Sequence, residues 1–178
     1  MRKLFTPDSN TQNLFVPDAN DVSWEDVAQA QSRWAEAIVD IGNVYLTGGD
    51  YRTCAEAHIL DLYGFETGPV LFKPTLAAEQ PFRTTFETAL SYFVGGSVAE
   101  DRGFALRPWS HVEFGDRNVV FIDNGAFAMG NYVFTPHSTN EEPVHVEYTF
   151  GYTRNEDGVL RICVHHSSLP YQPQGGSA

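Results

Sequence analysis

VHVEYTFGYT, residues 144–153, alternates between apolar or aromatic and mostly polar side chains with a period of two. Successive side chains of a β-strand leave on opposite faces, so this alternation predicts a strand with one buried face and one solvated face. We expect the buried face to carry Val144, Val146, Tyr148, Phe150 and Tyr152. The opposite face would then carry His145, Glu147, Thr149 and Gly151.

Similar strand-like runs lie on both sides of this segment. The turns between them contain Gly115-Asp116, Asn124-Gly125, Pro136-His137 and Asp157-Gly158, which are residues typical of hairpins. Short turns between long strands predict an antiparallel meander. Its predicted strands are 109–114, 118–122, 126–135, 144–153 and 160–166.

The chain before residue 105 has helical periodicity instead. Ser23 with Asp26 forms a capping-box-like start, and an apolar stripe follows it as far as Tyr45. Gly48-Gly49 would end this first helix, and Asp50 can cap a second helix that ends at Gly64.

A short strand and a third helix complete the N-terminal half. The strand is predicted at residues 69–73, where Pro74 ends it, and the helix follows from Phe82 to Phe93 before Gly95-Gly96. Helices followed by a meander predict an α+β fold, with three N-terminal helices packed on one face of a curved antiparallel sheet. Such a sheet can wrap around its helices and leave a blind pocket.

The two ends of the chain show no period. Residues 1–22 are rich in Asp, Asn, Thr and Pro, and residues 172–178 are equally irregular. We therefore expect a flexible N-terminal tail at 1–22, a single α+β domain at 23–171, and a flexible C-terminal tail at 172–178.

Composition excludes several classes of partner. The net charge is -12, from 23 acidic and 11 basic residues, so we expect neither nucleic acid nor an anionic membrane surface as a partner. The apolar stretches are too short to span a bilayer. Cys54 and Cys163 are interpreted as small buried apolar residues.

Familiar metal and nucleophile motifs are absent from the sequence. It contains no CxxC pair, HExxH, glycine-rich phosphate loop or GxSxG elbow. His165 and His166 are adjacent, so a regular strand would send them to opposite faces. A zinc site would need ligands brought together from distant parts of the chain, and we expect no metal.

The last strand carries the polar residues that matter most. Leu160, Ile162 and Val164 share one parity, and the same parity places His166 and Ser168 on the inward face. A buried imidazole and hydroxyl need hydrogen-bond partners or a ligand. The residues alone leave structural roles open. His166 can be a core histidine and Ser168 a strand-ending serine, while Tyr92 can be a core aromatic residue and Thr75 a turn cap.

Several segments together resemble the iota-class carbonic anhydrases. That family is similar to the association domain of calcium/calmodulin-dependent protein kinase II and has a nuclear transport factor 2-like fold. The resemblance covers about residues 24–171. The segments that carry it are GPVLFKPTLA at 68–77, FETALSYFVGG at 86–96, AMGNY at 128–132, VEYTFGY at 146–152 and HHSSLPY at 165–171.

The resemblance implies reversible hydration of carbon dioxide to bicarbonate by a homodimer. It assigns bicarbonate contacts to Thr75, Tyr92 and Ser168, with His166 beside them. Our hypothesis is that His166 positions a hydroxyl or accepts the proton. Some relatives are described with zinc or manganese and others without metal, and we expect the metal-free form here. Relatives are often sent to plastids or the periplasm, but residues after Met1 show no secretory signal. The alternative function is a non-catalytic oligomerisation or small-ligand-binding module of the same fold.

Overall fold

The computed structural model describes residues 22–173, so most of the two predicted tails lies outside it. Its elements are α1 Trp24–Leu46, α2 Tyr51–Leu62, β1 Leu71–Lys73, α3 Phe86–Val94, a 3-10 turn Phe104–Leu106, β2 Trp109–Ile122, β3 Gly125–Pro136, β4 Val144–Arg154 and β5 Leu160–Ser168. The five strands form one sheet in the order β1-β5-β4-β3-β2. Neighbouring strands are antiparallel except β1, which pairs parallel with β5.

The helices begin where their caps predict. The Ser23 side chain accepts from the Asp26 backbone N–H, and the Asp26 carboxylate accepts from the Ser23 backbone N–H. The Asp50 side chain caps α2 by accepting from the backbone N–H of Thr53, without the reciprocal bond. Among the described residues, no helix is both long enough and apolar enough to cross a bilayer.

The third helix is shorter than the sequence predicted. Thr85 is its N-cap, and its hydroxyl accepts from the Thr88 backbone N–H. Phe82 therefore lies before the helix and is exposed, although its spacing matched the apolar stripe. Gly95 ends the helix with a positive φ of 77°, a conformation that favours glycine.

The predicted hairpin turn at Gly115-Asp116 is wrong. β2 runs unbroken from Trp109 to Ile122, and its register with β3 shifts by one residue between Phe114 and Arg117. Gly115 and Asp116 therefore belong to a β-bulge, where glycine and aspartate are also common. Two predicted strands are thus one long strand.

A second bulge decides which side chains of β5 face the core. Tyr152 of β4 pairs with Ile162, but Gly151 pairs with Val164, so Cys163 is an extra residue in β5. The extra residue reverses the alternation of every side chain after it. The predicted inward face of β4 is confirmed, whereas the predicted inward parity of β5 holds only as far as Ile162.

The predicted orientation of His166 and Ser168 is therefore wrong. His165 is 2% exposed and Ser167 is 4% exposed, and both face the core. His166 is exposed and Ser168 is only partly buried.

Gly151 allows the two strands to approach each other at the bulge. A Cβ atom at Gly151 would lie 2.8 Å from Cε1 of Phe127 and 2.9 Å from Cβ of Val164. Contacts this short force a shift of the surrounding side chains or backbone.

We predict that Gly151→Ala lowers the free energy of unfolding by about 1–3 kcal/mol, because the added methyl group overpacks the β4–β5 contact. Urea unfolding followed by circular dichroism measures the change. Gly68→Ala is the matched control, since a Cβ there meets nothing within 4 Å. An equal effect of the two substitutions would show that the bulge is not tightly packed.

Candidate active site

A narrow cavity lies between the helices and the concave face of the sheet. Its volume is about 10 Å³, close to the room that one water molecule needs and far below the roughly 300–1,000 Å³ of pockets for drug-sized ligands. It therefore suits a ligand of a few atoms. Its lining residues are Trp34, Thr75, Tyr92, Phe93, Phe104, Tyr132, Phe134, His165 and Ser167.

Four parts of the fold bring polar groups into this aromatic cavity. The bulged strand β5 supplies His165 and Ser167. Thr75 follows β1, which is β5's parallel neighbour, and Tyr92 lies in the last turn of α3. Tyr132 comes from β3 and is buried.

The hydroxyl groups of the cavity bond to one another. Thr75 Oγ1 donates to Ser167 Oγ at 2.9 Å. The Tyr132 hydroxyl lies near that of Ser167. Burial raises the pKa of Tyr132, and the neighbouring Ser167 hydroxyl offsets this only in part, so the phenol stays protonated at neutral pH.

Tyr92 offers a proton to the cavity. Its hydroxyl lies near the backbone of Leu76, which lowers the pKa of the phenol less than burial raises it. Burial raises the pKa of Tyr92 far above neutral pH, so the phenol keeps its own proton. That proton can be donated to a ligand oxygen.

His165 lies between two aromatic rings. Its ring is stacked 4.8 Å from Phe72 and 4.2 Å from Phe150, measured between centroids. Nδ1 lies 2.8 Å from the Tyr63 hydroxyl, and Nε2 lies 3.4 Å from the Tyr132 hydroxyl. Burial, and secondly the charge of His166, lower the pKa of His165 to about 3, so the ring is neutral at neutral pH.

The structure brings Thr75 and Tyr92 together in the cavity, but replaces His166 and Ser168 with their neighbours. The sequence contains a His-His and a Ser-Ser pair, so either parity of β5 places one imidazole and one hydroxyl inward. Only the register with β4 decides between them. Gly151, opposite the bulge, was the available signal.

A cluster of possible metal ligands lies outside the cavity. Within residues 22–173, Asp40, Cys54 and His58 are brought close enough to ligate one ion. They already bond to each other, with 2.8 Å between His58 Nε2 and Asp40 Oδ2 and 3.4 Å between Cys54 Sγ and the same oxygen. Burial and the nearby Asp40 raise the pKa of Cys54 to about 11, so its thiol is protonated at neutral pH. This cluster shares no residue with the cavity lining.

Comparison with known proteins identifies the family. The family model for metal-independent carbonic anhydrase matches residues 25–169. A metal-independent carbonic anhydrase from Nostoc sp. (strain PCC 7120 / SAG 25.82 / UTEX 2576) is 42% identical over 168 residues, which cover 91% of this chain and 81% of that protein.

Solved structures agree with this match. The crystal structure of an iota-carbonic anhydrase from a cyanobacterium, complexed with bicarbonate, superposes with a TM-score of 0.81 at 38% identity and covers 96% of this chain and all of that one. A nuclear transport factor 2-like protein from Salmonella enterica superposes with a TM-score of 0.54 at 11% identity. The match covers 86% of this chain and 95% of that protein. This similarity confirms the predicted fold class. This chain is a member of the metal-independent carbonic anhydrase family.

Proposed function

We propose that this chain hydrates carbon dioxide reversibly to bicarbonate in the cavity behind β5, with Thr75, Tyr92, His165 and Ser167 as the residues that contact substrate and product. The family to which the chain belongs works without a metal cofactor. The observation that carries the proposal is the convergence of uncharged hydrogen-bonding groups in a small aromatic cavity. The similar cyanobacterial structure was determined as a complex with bicarbonate.

The chemistry of the cavity suits both substrate and product. Carbon dioxide is neutral and small, so it can enter an aromatic cavity without opposition from the chain's net charge of -12. Bicarbonate is an anion and needs donors, which Tyr92 and the other hydroxyls supply. The acidic protein then favours departure of the anion.

Hydration without a metal requires that water loses its proton as it attacks. Free hydroxide at neutral pH would lie about 9 pKa units uphill, or about 12 kcal/mol, relative to bulk water. In the concerted step the water oxygen bonds to carbon, one C=O π pair moves to its oxygen, and a proton leaves the water. Donors such as the Tyr92 O–H stabilise the negative charge that develops on that oxygen.

The proton leaves through the hydroxyl pair. His165 is a weak base, because its pKa is lowered to about 3. Ser167 Oγ can accept the water proton while its own proton passes to Thr75 Oγ1, once these hydroxyls rotate from the arrangement seen here. Thr75 is only partly buried and can pass a proton to solvent. The exposed His166, which was expected to position a hydroxyl or accept the proton, is not among the residues that line the cavity.

We predict that Ser167→Ala lowers the rate of carbon dioxide hydration about 100-fold, because it removes a hydrogen-bonding group at the reacting atoms. Ser168→Ala is the matched control and should keep nearly the wild-type rate. Stopped-flow assays on chelator-treated protein measure both, with elemental analysis of the same samples. Equal rates in the two variants would remove Ser167 from the site, and activity that returns only with added zinc would overturn the metal-free proposal.

We predict that burial of neutral His165 makes the protein sensitive to acid. Its pKa is about 3 in the folded protein and 6.5 as a free side chain, so between these values the unfolded state binds the proton and the folded state does not. His165 therefore leaves the free energy of unfolding at its full value above pH 6.5 and lowers it as the pH falls towards 3. The loss between pH 7 and pH 5 is about 2 kcal/mol. Urea unfolding at both pH values should show a smaller difference for His165→Gln than for the control His166→Gln. Identical pH dependence would show that His165 is not buried in its neutral form.

We also propose that the chain is a homodimer formed through the outer face of the sheet. Phe127 and Met129 of β3 point away from the core, opposite to the buried Ala126 and Ala128. Val120 of β2 pairs with Phe127 and extends the same exposed apolar surface. A chain with a net charge of -12 associates with its own copy most easily through apolar surface, because the charges of two copies repel each other.

We predict that Met129→Glu converts the dimer to monomers, because a two-fold interface places the new charges of the two copies near each other. Leu60→Glu adds the same charge at another exposed apolar residue, on α2, and should leave the dimer intact. Light scattering after size-exclusion chromatography measures the mass. A monomeric wild type, or a dimeric Met129→Glu variant, would contradict this interface.

A further inference from the structure

A buried chain of hydrogen bonds leads from α1 to the cavity histidine. Trp34 Nε1 lies 2.9 Å from the Tyr63 hydroxyl oxygen, and that oxygen lies 2.8 Å from Nδ1 of His165. All three side chains are at most 2% exposed, so solvent does not supply alternative partners.

The first donor fixes the direction of the whole chain. An indole N–H can only donate, so the Tyr63 oxygen accepts from Trp34. The Tyr63 proton is then directed to its other neighbour, Nδ1 of His165. Nδ1 must therefore be the unprotonated nitrogen of the ring.

The opposite tautomer is disfavoured. If Nδ1 carried the proton, the Tyr63 oxygen would accept twice and its own O–H would be buried without an acceptor. The cost of an unsatisfied buried donor corresponds to a population ratio on the order of tenfold or more. The proton of the neutral ring therefore lies on Nε2, the nitrogen on the side of Tyr132, which also lines the cavity.

We propose that Trp34 and Tyr63 are positioning residues that hold His165 as the Nε2–H tautomer, so that its ring donates a hydrogen bond to bicarbonate and to the oxygen that becomes negative during hydration. This inference rests on the proposed function of the cavity. Nε2 lies 3.4 Å from the Tyr132 hydroxyl, a long bond that a ligand oxygen can replace. The other tautomer would present a lone pair to the anion and repel it.

The stacking partners of His165 fix its ring plane as well. Phe72 and Phe150 lie on its two sides with interplanar angles of 17° and 23°. The ring of Trp34 meets it edge to face at 5.4 Å. Rotation of the imidazole side chain is therefore restricted. The tautomer alone then decides whether Nε2 presents an N–H group or a lone pair to the cavity.

Nitrogen NMR of the histidine rings tests the tautomer directly in the wild-type protein. Two-bond proton–nitrogen correlation spectra of ¹⁵N-labelled protein distinguish protonated from unprotonated ring nitrogens, and loss of a signal in His165→Gln assigns the residue. We expect a protonated Nε2 and an unprotonated Nδ1 at pH 7, and a shift of the Nε2 resonance on titration with bicarbonate at constant ionic strength. Proton occupancy on Nδ1 would overturn the proposal without any variant.

Two conservative variants test the positioning residues. Trp34→Phe frees the Tyr63 oxygen to accept from an Nδ1–H group, and Tyr63→Phe removes the donor to Nδ1. Each should lower the preference for the Nε2–H tautomer about tenfold or more. A fall from about 10:1 to about 1:1 takes the binding-competent fraction from about 0.9 to about 0.5, so bicarbonate binding weakens about twofold. Tyr152→Phe is the matched control, since this tyrosine is equally buried but its hydroxyl is not in the chain of bonds to His165. Ring spectra and affinity in Trp34→Phe and Tyr63→Phe that match those of Tyr152→Phe would contradict the inference.

The tautomer and the activity can fail separately. A fixed Nε2–H ring together with no difference between Ser167→Ala and Ser168→Ala would refute the proposed catalytic site but leave the hydrogen-bond chain standing. Carbon dioxide hydration that depends on Ser167, with no tautomer preference at His165, would leave the function standing and refute the positioning role.

Discussion

The pairing of β5 with β4 is the constraint on which the cavity depends. One extra residue, Cys163, changes the register so that Phe150 lies opposite His165 and Tyr148 opposite Ser167. Directly opposed residues of an antiparallel pair share a face, so the imidazole and hydroxyl join the aromatic face of β4. Without the bulge, the neighbouring histidine and serine would take those places.

A second constraint holds the segment between β1 and α3. Arg83 is fully buried and pairs with Glu100 and Asp101. The Glu100 carboxylate also accepts from the backbone N–H groups of residues 78–80, which lower the pKa of Glu100 to about 2. Thr75 lies at the start of this segment and Tyr92 lies in the helix that follows it, so the ion pairs of Arg83 hold the chain between two of the cavity's hydroxyl groups.

The sequence predicts the features of the fold that follow from local residue patterns and from the period of apolar side chains. The capping residues Ser23 and Asp50, the buried face of β4, and the order of helices before strands all follow from local patterns. Thr75 and Tyr92 entered the prediction through family resemblance, and the structure places both in the cavity.

Two features needed the three-dimensional structure. A bulge adds one residue to a strand without changing its composition, so a parity argument continues past it in the wrong direction, as it did for His166 and Ser168. The contacts of His165 join residues 102 and 33 positions apart in the sequence, Tyr63 and Tyr132 respectively. Hydrogen bonds over such separations arise from packing, which no single segment of the chain specifies.

Neutral donors explain how one cavity can both form and release an anion. An arginine or a lysine in the cavity would bind bicarbonate in the ground state as strongly as it stabilised the transition state, and such uniform binding does not raise turnover. The cavity instead presents phenol, hydroxyl and neutral imidazole groups, whose pKa values are shifted by burial so that Tyr92 and Tyr132 remain protonated and His165 remains uncharged. These dipoles stabilise charge most where it is concentrated on one oxygen as the C–O bond forms, and less once it is spread over the product. The net charge of -12 then favours release of bicarbonate, because a negatively charged protein repels the anion.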